Sequence, residues 1–504
     1  MRTLWVLGHQ LSCDLQGFKQ VDREKDWIVM IEATSRATWA TYHKKKLVLI
    51  FSAMRHFAKQ LEEAGYQVDY RQAPSFDEGL QAHIQEKNIR TLLYHEPSDF
   101  RMRQLIRTWR TQQSIETIAF EEDSFIVSED EWKTLLPEQK EWKLDTIYRL
   151  LRKKHGILME QGKPIGGKWS YDQQNRKPPK KGLHFVEARF FEPDSITKQV
   201  IEEVNEHFKN HPGTTDDFYL PVTKEEAEEA LEHFITSRLA TFGDYQDAML
   251  EGNPYMSHSL ISSAINIHLL QPMDVIRRAE EAYHAGLAPL AAVEGFIRQI
   301  LGWREYIRGV YLRSMPHYKE VNYFEHTRPL PSFFWDAHTD MNCIKQTVQE
   351  VLDYGYNHHI QRLMVIGNFA NLAGLKPQAV ADWFNMMYTD AHDWVVLPNV
   401  LGMALYADGG KMSTKPYISS GKYIQKMSNY CQNCVYQVNE KVGEHACPYN
   451  ALYWDFLMRH ESQLRTNPRM RLMYNIFEKM SHEERLALQT QATQIFEKLE
   501  REKL

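Results

Sequence analysis

Five short runs of β-branched and aromatic residues, separated by helical patterns, set the architecture of the first part of the chain. They are TLWVL (3–7), WIVMIE (27–32), YQVDY (66–70), RTLLYHE (90–96) and ETIAFEE (116–122). Apolar β-forming runs that alternate with helices predict parallel strands joined by crossovers. The longest intervening pattern, KKKLVLIFSAMRHFAKQLEEAG (44–65), closes on a glycine suited to a C-cap. The expected fold over residues 1–132 is therefore an α/β domain built on a doubly wound parallel sheet. At 504 residues the chain exceeds one ordinary core. Helical periodicity takes over after a polar stretch, so an all-α domain is expected over 222–504, with 133–221 as a connector.

Charge narrows the choice of partners. The 60 basic and 66 acidic residues leave a net charge of −6, which excludes a protein that coats nucleic acid through its overall field. Any such contact must come from a local basic patch. The opening MRTLWVLGHQLS lacks a charged segment followed by a long apolar run, and no stretch of membrane-spanning length is apolar throughout. A cytoplasmic monomer with no membrane contact is the expectation. Within the connector, GGKWSYDQQNRKPPKKG (166–182) reads as a long loop. It is either a solvated linker or an arm that contacts phosphates through Lys168, Arg176, Lys177, Lys180 and Lys181.

Four of the five cysteines fall in the last third. Cys431 and Cys434 form a CxxC, Cys447 follows, and Cys343 lies 88 residues upstream of Cys431. Four soft ligands in a reducing compartment suit a zinc ion or an iron–sulfur cluster, and the pattern leaves both open. Cys13 stands apart and is expected to be a small buried apolar residue.

Two helical segments carry polar residues in phase with apolar ones. In AVEGFIRQILGWREYIRGVYL (292–312), Arg304 shares a stripe with Val293, Phe296, Ile297, Ile300, Leu301, Ile307 and Tyr311. A buried guanidinium there requires a carboxylate or a ligand phosphate. GYNHHIQRLMVIGNFANLAG (355–374) reads as a helix with His358, Arg362, Val365, Ile366 and Phe369 on one face. Core histidines are one explanation for His358 and His359; a ligand pocket is the other. Asp390 and Asp393 are possible partners for Arg362. In KMSTKPYISSGKYIQKMSNYC (411–431), Lys411 and Lys415 interleave with Tyr417 and Tyr423, which suits phosphate contact with base stacking. A solvated lysine face is equally compatible.

NHHIQRLMVIGNFANLAG, DAHDWVVLPNVLGMALYADGGKMSTKPYISSGKY and the cysteine spacing together resemble the iron–sulfur bacterial cryptochromes and photolyases. This family is also called prokaryotic (6-4) photolyases or deoxyribodipyrimidine photolyase-related proteins. GHQLS and FSAMRHFA (51–58) are similar to the family's antenna domain. The resemblance implies a helical domain that holds FAD and a 4Fe-4S cluster on Cys343, Cys431, Cys434 and Cys447. It assigns Ser257, Ser259 and Leu260 of SHSLISS to a phosphate-binding turn and places Arg362 with Asp390 beside the isoalloxazine. Arg298, Gln299, Trp303, Arg304, Tyr306, Asp393, Val396, Asn399 and Met403 join the cofactor site by the same route. The implied activity is light-driven electron transfer from reduced FAD to a lesion flipped out of UV-damaged DNA, with His358 or His359 as proton donor. Trp335 and Trp383 match the family's photoreduction route.

Three positions depart from the family. Val396 stands where a polar residue usually faces flavin N5, so that atom is expected to lack a side-chain partner. His9 and Arg36 replace acids near the antenna site, where Gly8, Gln10, Glu32 and Ile50 still match a site for 6,7-dimethyl-8-ribityllumazine. A cryptochrome-like photoreceptor without repair activity is the competing expectation, and the fold alone does not separate the two. An iron–sulfur nuclease requires clustered metal-binding carboxylates, and the sequence offers no such set.

Overall fold

The computed structural model describes residues 1–138, 142–180 and 182–504. Strands β1 (Arg2–Val6), β2 (Trp27–Ala33), β3 (Gln67–Ala73), β4 (Thr91–His95) and β5 (Glu116–Phe120) form one sheet in the order β3-β2-β1-β4-β5, every pairing parallel. Side chains alternate across the pleat. Leu4, Ile28 and Leu93 enter one core with Val48, Leu49 and Phe57 of helix α1 (Lys44–Glu63), while Trp5, Val29 and Leu92 enter another with Phe76, Ile106 and Trp109. Both faces are therefore covered, as a parallel sheet requires. Cys13 is exposed, contrary to the expectation of a buried site, because it lies in the loop after β1.

From Lys224 onward the chain is helical apart from short turns and isolated bridges. Helix α2 comprises Leu290–Ile297, a π-helical turn Arg298–Arg304, and Glu305–Ser314. Helix α3 is Asn342–Tyr354, and Gly355 ends it in the left-handed conformation at φ 62°. Residues 355–358 are thus a turn, correcting the helix expected to start there. Helix α4 follows, with π-helical Gln361–Gly367 and then Asn368–Ala373. Helix α5 is Asp393–Leu397 continued by π-helical Pro398–Ala404, and helix α6 is Pro448–Arg459. Each π turn adds a residue per turn and slips the phase of the face behind it. Val365, Ile366 and Phe369 are fully buried in the core, whereas Arg362 of the same helix lines the cavity described below.

The two regions interlock. Leu11 N donates to Ile267 O at 3.1 Å and His43 N to Met386 O at 2.8 Å. The buried Lys46 ammonium donates to the backbone oxygens of Asn385 (2.8 Å) and Ala391 (2.6 Å). Among the described residues no helix is long and apolar enough to cross a membrane.

Candidate functional site

The three π turns converge on one cavity of about 1890 Å³ in the helical region. Arg298, Gln299, Trp303 and Arg304 come from α2, Arg362 from α4, and Asn399 and Met403 from α5. π turns re-aim side chains at functional sites, and here each inserts its polar residues into a shared wall.

On that wall Arg362 donates to Asp390 through both nitrogens, at 3.0 and 3.1 Å. Ser262 also donates to Asp390, at 2.8 Å. Burial opposes ionisation of Asp390, but the Arg362 charge and these hydrogen bonds outweigh it and hold the carboxyl below the usual carboxylate range. Asp393 is not the partner: it accepts from Asn385 at 2.6 Å and lies outside the cavity wall. The partner sought for Arg304 is Glu305, at 3.0 Å, with the guanidinium over Phe125 and Trp394 at 4.3 and 5.1 Å. Arg304 Nε and Nη2 are buried without a partner.

The proposed phosphate-binding turn divides. Ser259 and Leu260 line the cavity with Ser262, and Leu260 sits at φ 59°. Ser257 instead turns its hydroxyl to Thr241 Oγ1, at 2.7 Å. Tyr306 is buried behind the wall, and Val395, not Val396, reaches the cavity. The run from Asp393 into the π turn at Pro398 sets that phase, so the residue facing the cavity is one position earlier than the alignment of motifs implied.

His358 and His359 both line the cavity. His358 stacks on His258 with centroids 4.4 Å apart and planes 12° from parallel. Its two ring nitrogens are buried and unpartnered, and burial holds it well below the ordinary imidazole value. His359 turns its ring to open space within the cavity; enclosure by protein and the Arg362 charge lower it to about 4. Beneath Arg362, at 3.9 Å, lies the Tyr388 ring, and Trp383 stands 5.8 Å beyond. Trp383 is fully buried, donates to Phe334 O at 2.9 Å and meets Phe384 at 5.4 Å, whereas Trp335 is 40% exposed.

Lys168, Arg176, Lys415, Tyr417 and Tyr423 stand at the cavity. Lys180 and Lys411 do not, although the Lys411 ammonium lies 4.4 Å over Trp142, which does. Lys177 pairs with Asp244 at 2.7 Å, and Lys181 lies outside the described residues. Asp172 ties the connector to the wall by accepting from Arg176 and, at 2.9 Å, from Arg298. Sequence reasoning missed Arg149, Trp142, Trp169, His258, Tyr356 and Arg469, all of which line the cavity. Trp169, His258 and Tyr356 lie inside segments already singled out, but Trp142, Arg149 and Arg469 do not, and the fold brings all six together.

A second, small cavity is lined by Cys343, Cys431, Cys434 and Cys447 within a shell of Met341, Ile424, Tyr430, Tyr436, Val438 and Tyr449. Cys343 opens α3, Cys431 and Cys434 flank a tight turn, and Cys447 precedes α6. Burial and the neighbouring thiols raise Cys343 well above the ordinary value, and burial brings Cys431 to about 11 and Cys447 to about 12. A Cβ at Gly421 would lie 2.7 Å from Cys447 Sγ, so only glycine fits against it. Among the described residues no three His, Cys, Asp or Glu side chains are gathered to hold a single metal ion.

The antenna candidates spend their polar atoms on the protein. Glu32 accepts from Arg55 at 2.8 Å, from Tyr70 and from Gln72 at 3.2 Å. Gln10 accepts from Leu7 N and donates to His95 O, both at 3.4 Å. A Cβ at Gly8 would meet Met54 Sδ at 2.8 Å and Ile50 Cγ2 at 3.0 Å.

Four similarities to known proteins bear on this geometry. The family described as deoxyribodipyrimidine photo-lyase-related protein matches residues 4–220. A curated relative named (6-4) photolyase, from Agrobacterium fabrum, is 42% identical over 501 residues, covering 98% of this chain and 99% of its own. The crystal structure of a bacterial class III photolyase from Agrobacterium tumefaciens superposes with a TM-score of 0.61 at 13% identity, covering 92% of this chain and 98% of that one. A Synechocystis cryptochrome gives a TM-score of 0.53, also at 13% identity, over 80% of this chain and 82% of its own. At these identities the two structures speak to the fold alone.

Proposed function

The chain belongs to the deoxyribodipyrimidine photo-lyase-related family, and on that premise we propose that it uses blue light to repair (6-4) lesions in UV-damaged DNA. The observation that carries this reading is the large cavity, which combines a half-buried Arg362–Asp390 pair with cations and aromatic rings. FAD suits that cavity, and when bound it supplies the light-excited electron that splits the lesion. Ser259, Leu260 and Ser262 would hold the diphosphate, and Arg362, Asp390, Asn399 and Met403 the ring system. Arg304 supports the fit, because its two unpartnered buried donors on the wall favour an anionic ligand.

A base is accessible to such a pocket only when extruded from the duplex. Lys168, Arg176 and Lys415 would neutralise phosphates, while Trp303, Tyr417 and Tyr423 offer stacking faces. The basic residues at the cavity offset locally a chain whose net charge is −6. His359 is the better proton donor of the pair, since its ring faces the cavity and His358 is committed to the stack with His258. Enclosure and the Arg362 charge favour the neutral form of His359. A bound anion beside it raises its affinity for a proton, which it then passes to the lesion.

The cysteine cavity would suit a 4Fe-4S cluster, since four thiols line one small space within an apolar shell. The cluster would clamp α3 to the C-terminal segment. The antenna site does not fit 6,7-dimethyl-8-ribityllumazine in the same way, because Gln10 and Glu32 are engaged within the protein. Illuminating the reduced protein with an oligonucleotide that carries one (6-4) lesion tests the proposal. A protein that binds FAD yet leaves this lesion and a cyclobutane dimer intact is the photoreceptor instead.

A further inference from the structure

A buried hydrogen-bonded bridge runs from the cavity's arginine to the turn that carries Cys431. Arg362 Nε donates to the backbone oxygen of Asn357 at 2.8 Å. Asn357 Nδ2 donates to Glu350 Oε2 at 3.2 Å, and Gln361 Nε2 donates to the same oxygen at 2.5 Å. Gln361 Nε2 also reaches Tyr430 Oη, at 3.0 Å. Tyr388, whose ring supports Arg362, donates its hydroxyl to Asn357 Oδ1 at 2.9 Å. At the far end Asn342, next to Cys343, donates to the backbone oxygen of Tyr430 at 2.9 Å. Asn357, Tyr388 and Tyr430 are completely buried, and Gln361 and Glu350 are nearly so.

A carboxyl in such surroundings is costly unless its hydrogen bonds are used. Here one oxygen gathers two side-chain amides from the turn and helix that follow α3. Those amides orient Asn357 and Gln361, and Asn357 in turn fixes two contacts of the Arg362 environment: the backbone oxygen that receives Nε and the amide that receives Tyr388. α3 carries Cys343 at one end and Glu350 two turns further on. Any shift of the cysteine segment therefore reaches Arg362 through paired groups, not through loose packing.

We propose that Glu350 is a positioning residue: as the shared acceptor of Asn357 and Gln361, it sets the Arg362 end of the FAD pocket and links it to the cysteine-bearing turn. This rests on the reading of the cavity as an FAD site. The role needs an acceptor, not a charge. Burial accordingly pushes the Glu350 carboxyl up to about 8, so it is a neutral acid at pH 7.

The test compares FAD dissociation and the flavin absorption band in wild type, Glu350→Leu, Glu350→Gln and Tyr430→Phe, with circular dichroism as the folding control. Glu350→Leu is expected to weaken FAD binding about tenfold, the scale of about one lost hydrogen bond. Glu350→Gln keeps an acceptor oxygen and is expected to hold FAD close to the wild-type affinity. Tyr430→Phe removes one hydroxyl at the cysteine end and is expected to shift the flavin band, which keeps the test open if Glu350→Leu does not fold. Wild-type affinity in Glu350→Leu, equal damage in Glu350→Gln, or an unmoved band in Tyr430→Phe overturns the proposal. A wild-type protein that takes up no FAD sinks the underlying reading instead.

Discussion

Arg362 and Asp390 face each other through two parallel hydrogen bonds, Nη1 to Oδ1 at 3.0 Å and Nη2 to Oδ2 at 3.1 Å. The geometry is bidentate and sheltered from solvent, and Tyr388 closes one face of the guanidinium at 3.9 Å. Such a pair keeps its charge and direction without help from water. Replacing Arg362 by Ala removes a charged donor and leaves Asp390 buried alone, so FAD should bind about 10- to 100-fold more weakly. Equilibrium dialysis of the flavin measures it, and Asp390→Asn should fall in the same direction. Unchanged affinity in both variants would remove the pair from the cofactor site.

Trp383 is a buried tryptophan 5.8 Å from the Tyr388 ring, with Phe384 at 5.2 Å, and Trp335 is exposed. Trp383→Phe should slow flavin photoreduction in the presence of an external thiol far more than Phe384→Leu does, because phenylalanine is not oxidised under these conditions. Time-resolved bleaching of the flavin band checks this. Equal rates in Trp383→Phe and wild type would require another route.

Stability should carry a pH signature from Glu350. Its folded value is about 8 against an ordinary 4.5, with Asp353 on its own helix adding to the effect of burial. Tyr356, Tyr388 and Tyr430 face it from the neighbouring segments, and all three are themselves pushed above the ordinary phenol value. Between these two pH values the folded chain keeps a proton that the unfolded chain releases, so stability falls as pH rises through the window and levels off above about pH 8. The slope is at most about 1.4 kcal/mol per pH unit. Glu350→Gln lacks the titration, so its stability relative to wild type should grow from pH 5 to pH 8. Urea unfolding at three pH values measures this, and a constant difference would refute it.

The cysteine cavity joins α3 to the segment before α6, and the proposed cluster would clamp these distant parts of the chain. Metal analysis of protein purified without oxygen should return about four irons per chain and little zinc, as a cubane cluster requires. Cys434→Ser should lower both thermal stability and flavin content. A folded, flavin-loaded Cys434→Ser protein would argue against the clamp.

The parallel sheet was legible because its signals are local: β-forming runs such as WIVMIE, helical patterns such as 44–65 between them, and Gly65 at φ 85° just past α1. Charge complementarity left both Asp390 and Asp393 open as partners for Arg362, and the family resemblance pointed to Asp390. What escaped the sequence is the phase of the cavity wall. A π turn is stabilised by what packs around it, so nothing in RQILGWR or PNVLGMA announces the slip that exposes Val395 and hides Val396 and Tyr306. Ser257 was assigned by motif, but its hydroxyl is taken by Thr241, sixteen positions away in the chain. His258 and Arg149 gain meaning only once the chain folds back on itself. Cys13 shows the opposite error, since a residue-type preference says nothing about a loop that lies on the surface.

The central claim is that this cavity repairs a (6-4) lesion with His359 as proton donor. The most direct test is the yield of light-dependent lesion loss from a (6-4)-containing oligonucleotide, comparing wild type with His359→Ala at equal FAD loading. We expect repair by wild type in blue light only, with about 10²-fold less in the variant, the scale of a lost proton-transfer group. Loss of the lesion at the same rate in both proteins would contradict the role of His359, and no loss in either, despite bound and photoreducible FAD, would contradict repair itself.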